Sequence, residues 1–99
     1  MAKDREIEYT LTEFCEITRL SAEHVRELVG AGIIEPRQRR DYWVFSAQHI
    51  NRCARAERLM HDLELTPHGA ALALELMEQN RRLQRRLAYL EQLLGRLSG

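Results

Sequence analysis

Residues 10–36 read TLTEFCEITRLSAEHVRELVGAGIIEP, and this stretch decides the fold. Thr10 with Glu13 three residues later is a capping box: each side chain satisfies a backbone N–H that the start of a helix leaves without a partner. A short helix through Leu11, Phe14 and Cys15 follows. Ser21 is a good N-cap for a second helix, which carries Val25, Leu28 and Val29 at helical spacing. Gly30 and Gly32 end it, because glycine enters the left-handed region without a Cβ penalty. Two short helices, a tight turn and a glycine stop predict a helix-turn-helix.

Downstream, Ile33-Ile34-Glu35-Pro36 is short and β-branched, with a proline that bars a helix, and Tyr42-Trp43-Val44-Phe45 is the clearest strand signal in the chain. With the polar residues 37–41 as a tip, these two segments predict a small β-hairpin wing. Trp43 and Phe45 are expected in its core, with Tyr42 and Val44 on the other face. Ser46 caps a third helix that places Ile50, Cys53, Ala56, Met60 and Leu63 on one side.

Thr66-Pro67 starts a last helix, which meets no further proline before Leu97 and would be about 46 Å long. Its first third (Ala70, Ala71, Leu72, Ala73, Leu74, Leu76, Met77) is apolar almost all round, as expected of a segment buried against the head. The remainder follows a heptad, with Ala73, Asn80, Leu87 and Leu94 at a and Leu76, Leu83, Leu90 and Leu97 at d. Leu76, Asn80, Leu83, Leu87, Leu90 and Leu94 are therefore expected to form a homodimer seam. A lone Asn80 at an a position either sets its register or faces water. The order predicts a mainly α fold: a winged helix-turn-helix head over residues 1–65 and a long C-terminal dimerisation helix over residues 66–99, within one domain.

At 99 residues and 11.6 kDa there is room for one domain, and 44% hydrophobic with 30% charged residues can bury a core. Fifteen Lys and Arg balance fifteen Asp and Glu, which excludes a generally polybasic protein. Two cysteines, Cys15 and Cys53, are too few for a disulfide scaffold and suggest a reducing compartment. The first ten residues are charged and lack an apolar signal region, and the longest apolar run, residues 70–74, is far too short to span a membrane. A cytoplasmic protein is expected. No Gly-rich phosphate loop, nucleophile elbow or triad is present, so neither an enzyme nor a cofactor is expected. His49 and Cys53 stand four apart on a helix, but no third and fourth ligand converge on them, so no metal is expected.

Charge separates the remaining readings. Between Leu11 and Gly32, Arg19 and Arg26 face Glu13, Glu16, Glu23 and Glu27, and such a helix pair would be repelled by a DNA duplex. Glu23 and Glu27 lie four apart, either a solvated face eased by Arg19 or Arg26 or a landing site for a basic partner helix. Glu16, Glu23 and Glu27 are the candidate partner-binding carboxylates. Glu57, Asp62 and Glu64 form a second eligible patch. Arg37, Arg39 and Arg40, the one basic cluster of the head, suit a solvated tip, an acidic protein or a phosphate contact.

With Tyr9-Thr10-Leu11 at the start and Gly30-Ala31-Gly32-Ile33-Ile34-Glu35-Pro36-Arg37 after the second helix, the chain resembles the winged-helix head of the MerR family. That resemblance implies a transcription regulator whose second helix reads DNA, a pattern from which this acidic helix departs. A closer set comprises Thr12-Glu13-Phe14-Cys15, Leu20-Ser21, Val29-Gly30-Ala31-Gly32, Ile34-Glu35-Pro36-Arg37, Trp43-Val44-Phe45, Arg55-Ala56, Arg58-Leu59 and His61-Asp62-Leu63. These resemble the CbpM chaperone-modulator family over nearly the whole chain. The resemblance implies a small cytoplasmic bacterial protein that binds the J-domain of a DnaJ-like, DNA-binding co-chaperone of the CbpA type. It further implies inhibition of both the co-chaperone and the DNA-binding activities of that partner. The alternative is a MerR-type DNA-binding regulator.

Overall fold

The computed structural model describes residues 7–98. Residues 1–6, with the signal-free start read from them, and Gly99 lie outside the described residues. In chain order the elements are β1 (Tyr9–Thr10), α1 (Leu11–Thr18), α2 (Ala22–Gly30), β2 (Arg37–Arg39), β3 (Tyr42–Phe45), α3 (Ala47–Leu63) and α4 (Pro67–Ser98).

The starts of α1, α2 and α4 form as their sequences dictate. Thr10 Oγ1 accepts from the Glu13 N–H at 3.2 Å, and Glu13 Oε1 accepts from the Thr10 N–H at 2.9 Å. Ser21 Oγ accepts from the His24 N–H at 3.0 Å. Thr66 Oγ1 accepts from the Gly69 N–H at 3.1 Å, with Pro67 as the first helical residue.

The wing differs from its sequence reading. Its first strand is not Ile33-Ile34-Glu35-Pro36 but Arg37–Arg39, the segment expected to be the tip, and β1 adds a third strand in the antiparallel order β1-β3-β2. The cause lies in how α2 ends. Gly32, at φ +85°, donates to the Val29 carbonyl, and Ile33 donates to the Leu28 carbonyl, both at 3.0 Å. This Schellman closure uses the Ile33 N–H, while Arg52 Nε donates to the Ile33 carbonyl, so neither group is left for a strand ladder. Ile33 and Ile34 instead plunge into the core, both almost completely buried. The turn moves to Arg40 and Asp41, with Arg40 at φ +50°.

The core is one cluster in which Phe14 of α1 stacks on Phe45 of β3, centroids 4.4 Å apart and planes 16° apart. Val25, Leu28, Cys53, Ala56, Ala70 and Leu74 complete it. Burial pushes the Cys53 thiol up to about 12, so it sits in the core as a neutral apolar group. Phe45 is enclosed as expected, but Trp43 is only half-buried, and Val44 on the other face is buried as well.

Two further expectations are corrected. Leu63, placed on the apolar side of α3, is 62% exposed, because the chain leaves the helix right after it through left-handed Glu64. The first third of α4 is not buried all round: Ala70 and Leu74 enter the core, whereas Leu72, Leu76 and Met77 face outward. The head touches that helix on one side only. Arg52 and Arg55 of α3 fix the contact by reaching the Glu78 carboxylate. Beyond it α4 projects, and the radius of gyration of 17.6 Å exceeds the roughly 13 Å of a compact chain this long.

The glycines should respond oppositely to alanine. Gly32→Ala should cost about 1–2 kcal/mol, since its φ is left-handed although the added methyl meets no neighbour. Gly30→Ala, at a helical position with open space around it, should be neutral or stabilise by up to about 1 kcal/mol. Urea unfolding of the three proteins followed by circular dichroism checks both signs.

Candidate partner-binding face

The functional face grows from the two capped helices and the inner strand of the wing. Leu11, Cys15, Leu20, Ala22, Glu16 and Arg26 line a cleft of about 470 Å³ between α1 and α2. A second cleft of about 470 Å³ lies between the start of α1 and the wing, walled by Leu11, Arg26, Gln38, Asp41, Tyr42 and Trp43. Leu11, Thr12 and Arg26 belong to both, so one apolar-floored groove runs from the wing aromatics to the helix-turn-helix corner. Tyr42 is 51% exposed at its wing end.

The three candidate carboxylates lie around this groove. Glu16 lines its α1 wall, while Glu23 and Glu27 border an adjoining depression with Ser21, His24 and Arg26. All three are exposed, and Arg26 stands between them without a carboxylate within 4.0 Å among the described residues.

Neither Arg19 nor Arg26 comes within 4.0 Å of the Glu23 or Glu27 carboxylate; His24 answers one of the two. Its Nδ1 lies 3.0 Å from Glu27 Oε1 and its Nε2 lies 2.6 Å from Glu57 Oε2, so one ring joins α2 to α3. Glu57 therefore stands in the same cluster as Glu27, while Asp62 pairs with its neighbour His61. A neutral imidazole has one N–H and can donate to one carboxylate only; the imidazolium donates to both. Burial pulls the His24 pKa down, but the hydrogen bonds to Glu57 and Glu27 outweigh it, and the net shift is upward.

The wing arginines are largely engaged within the chain. Arg39 Nη2 donates to Glu8 Oε2 at 2.6 Å, and Arg37 Nη1 lies 3.7 Å from the same oxygen. The Arg39 hydrogen bond holds the Glu8 carboxyl below its ordinary range. Of the three arginines, Arg40 alone makes no ion pair among the described residues. On that flank a polar cleft of about 560 Å³ is lined by Glu8, Glu35, Arg37, Arg39 and His49, charges of both signs that answer one another.

His49 and Cys53 have separate roles. His49 Nδ1 accepts from the Ser46 N–H at 3.1 Å, and burial followed by the Arg52 charge pushes its pKa down. Cys53 is in the core, and no group of three metal-ligating side chains occurs among the described residues. On α4, Leu76, Asn80, Leu83, Leu87, Leu90 and Leu94 are all exposed, on the side away from Ala70 and Leu74.

Residues 9–92 match the family described as MerR HTH family regulatory protein. The chain is also 40% identical to the chaperone modulatory protein CbpM of Escherichia coli (strain K12 / DH10B), over 83% of this chain and 89% of the relative. The figures are the same for the chaperone modulatory protein CbpM of Shigella boydii serotype 18. The chain belongs to the CbpM family. A MerR-type head in a CbpM-family protein accounts for the order of helices, wing and long last helix. No helix among the described residues is long and apolar enough to cross a membrane.

Reading Trp43 from sequence as core missed the groove, because Trp43 is shared between the Phe45 cluster and the groove wall. The residues that line it on α1 are four apart, Leu11 with Cys15, a spacing equally suited to a buried face. His24 lies three residues from Glu27, a local signal for half of its bridge; Glu57 is 33 residues away and gives none.

A raised native pKa means that the His24 bridge contributes fully below the ordinary imidazole value near 6.5 and is lost as pH rises through the native value. His24→Gln should therefore destabilise the protein at about pH 6, by at most about 1 kcal/mol because all three partners are partly solvated, and have little effect near pH 9. Thermal midpoints of both proteins across this range test it; a difference that does not change with pH would exclude the charged bridge.

Proposed function

We propose that this chain is a chaperone modulator that binds the J-domain of a DnaJ-like, DNA-binding co-chaperone of the CbpA type and inhibits its co-chaperone and DNA-binding activities. The observation that carries the reading is the groove: an apolar floor with two aromatics at one end and Glu16, Glu23 and Glu27 around the other. A basic helix is the natural occupant of such a surface. Carboxylates steer its approach, and apolar contacts in the cleft hold it. Leu11, Tyr42 and Trp43 supply the anchor. The relatives' description as chaperone modulatory proteins and the resemblance of the sequence motifs support the same partner.

The face that would read bases in a MerR-type regulator is here acidic on α2, and Glu8 occupies two of the wing arginines. Both features work against phosphate binding by the head. The protein acts in the cytoplasm, through binding and not catalysis.

The functional unit is a homodimer closed by Leu76, Asn80, Leu83, Leu87, Leu90 and Leu94. The five leucines among them form an apolar stripe that a single projecting helix cannot bury.

Titration calorimetry against an isolated J-domain of the CbpA type tests the interface. Glu16→Arg with Glu23→Arg leaves the His24 bridge intact and should weaken binding at least tenfold, as should Tyr42→Ala at the exposed end of the groove. Unchanged affinity in both variants would discard this face, and no binding by the unaltered protein would discard the function. For the seam, Leu87→Lys with Leu90→Lys should yield monomers in light scattering, and an unchanged mass would refute it.

A further inference from the structure

The balanced charge of the whole chain conceals a segregation. Residues 7–79 carry eight arginines against twelve acidic residues, whereas residues 80–98 carry five arginines against the single Glu91. The positive end is concentrated on one face of α4. At 3.6 residues per turn, Arg81, Arg85, Gln92 and Arg96 continue the side that carries Ala70 and Leu74, beyond the last contact with α3 at Glu78, and Arg82 and Tyr89 flank it. The leucine seam projects from the opposite side, so a helix paired through its leucines still presents this face. Glu91 lies off it, nearer the seam.

All six residues are exposed, and none of the four arginines meets a carboxylate within 4.0 Å among the described residues. Arg81 and Arg85 stand four apart, with Arg82 flanking them and Arg86 following at the edge. Like charges at this spacing oppose the helix by a few tenths of a kcal/mol per pair, a cost that an anion laid along the face would reverse.

We propose that this face of α4 binds the phosphate backbone of duplex DNA without regard to base sequence. It runs about 22 Å from Arg81 to Arg96 and offers guanidinium forks with tyrosine and glutamine donors beside them, the groups that grip phosphate oxygens. An acidic protein is a poorer fit, because the centre of the face has no apolar anchor beyond Tyr89. A single strand is poorer too, since one tyrosine makes no stacking platform. This site is separate from the helix-turn-helix groove and does not depend on the proposed partner.

Fluorescence anisotropy of the full chain with a labelled duplex of about 20 base pairs and arbitrary sequence tests it. With four arginines engaged per chain, binding should weaken about 100-fold between about 50 and 200 mM salt. Arg81→Gln, Arg82→Gln, Arg85→Gln and Arg96→Gln together keep helix propensity and should abolish most of the binding and flatten the salt dependence. Circular dichroism and J-domain affinity should stay unchanged. No binding at about 50 mM salt would overturn the proposal. So would binding that survives this variant but is lost when Arg37, Arg39 and Arg40 become Gln, which would place the site on the wing. Polyglutamate that binds as tightly as the duplex would overturn it as well, by assigning the face to an acidic protein.

Discussion

Arg52 is the constraint through which the separate parts of this molecule are aligned. From the middle of α3 it donates to the Ile33 carbonyl, at the end of α2, and to the Glu78 carboxylate on α4, which Arg55 also approaches at 4.0 Å. A partly solvated ion pair of this kind contributes little net stability, but it discriminates among orientations that burial alone would tolerate. Rolling α4 by one residue would turn each side chain by about 100°. Ala70 and Leu74 would leave the core, and the leucine and arginine faces would point elsewhere. The polar contact thus fixes where two surfaces far from it are displayed.

A winged helix-turn-helix is a scaffold whose function depends on what its exposed residues offer, and here the electrostatics are inverted. Where a DNA reader presents cations, α2 presents Glu23 and Glu27, and two of the three wing cations, Arg37 and Arg39, turn to Glu8. The apolar floor between α1 and the wing remains available. The changes sit on the surface, so the core around Phe14 and Phe45 is free to keep the architecture of the MerR head.

What could be read in advance follows from the range of each interaction. The caps at Thr10, Ser21 and Thr66 act over three residues and were legible, as was the long unbroken helix α4. Ile33 and Ile34 look like a strand because β-branched pairs usually are one. Only the capture of the Ile33 backbone by α2 and by Arg52, 19 residues away, makes the pair a buried connection. Arg37–Arg39 shows no strand signal, because its pairing is imposed by β3, whose own apolar residues carry the burial. The candidate carboxylates are placed together by α1 and α2. Glu57 joins them through His24, and Glu8 reaches the wing across 31 residues, neither of which a local pattern could reveal.

Because Ala70 and Leu74 fill the last places in the core, the head cannot finish folding until the first turns of α4 have been synthesised. A nascent or prematurely ended chain that stops near Thr66 leaves Phe14, Leu28 and Cys53 with part of their covering missing. Exposed core of this kind is what chaperones hold and proteases remove. Chain order alone therefore acts as proofreading, marking the unfinished product for disposal.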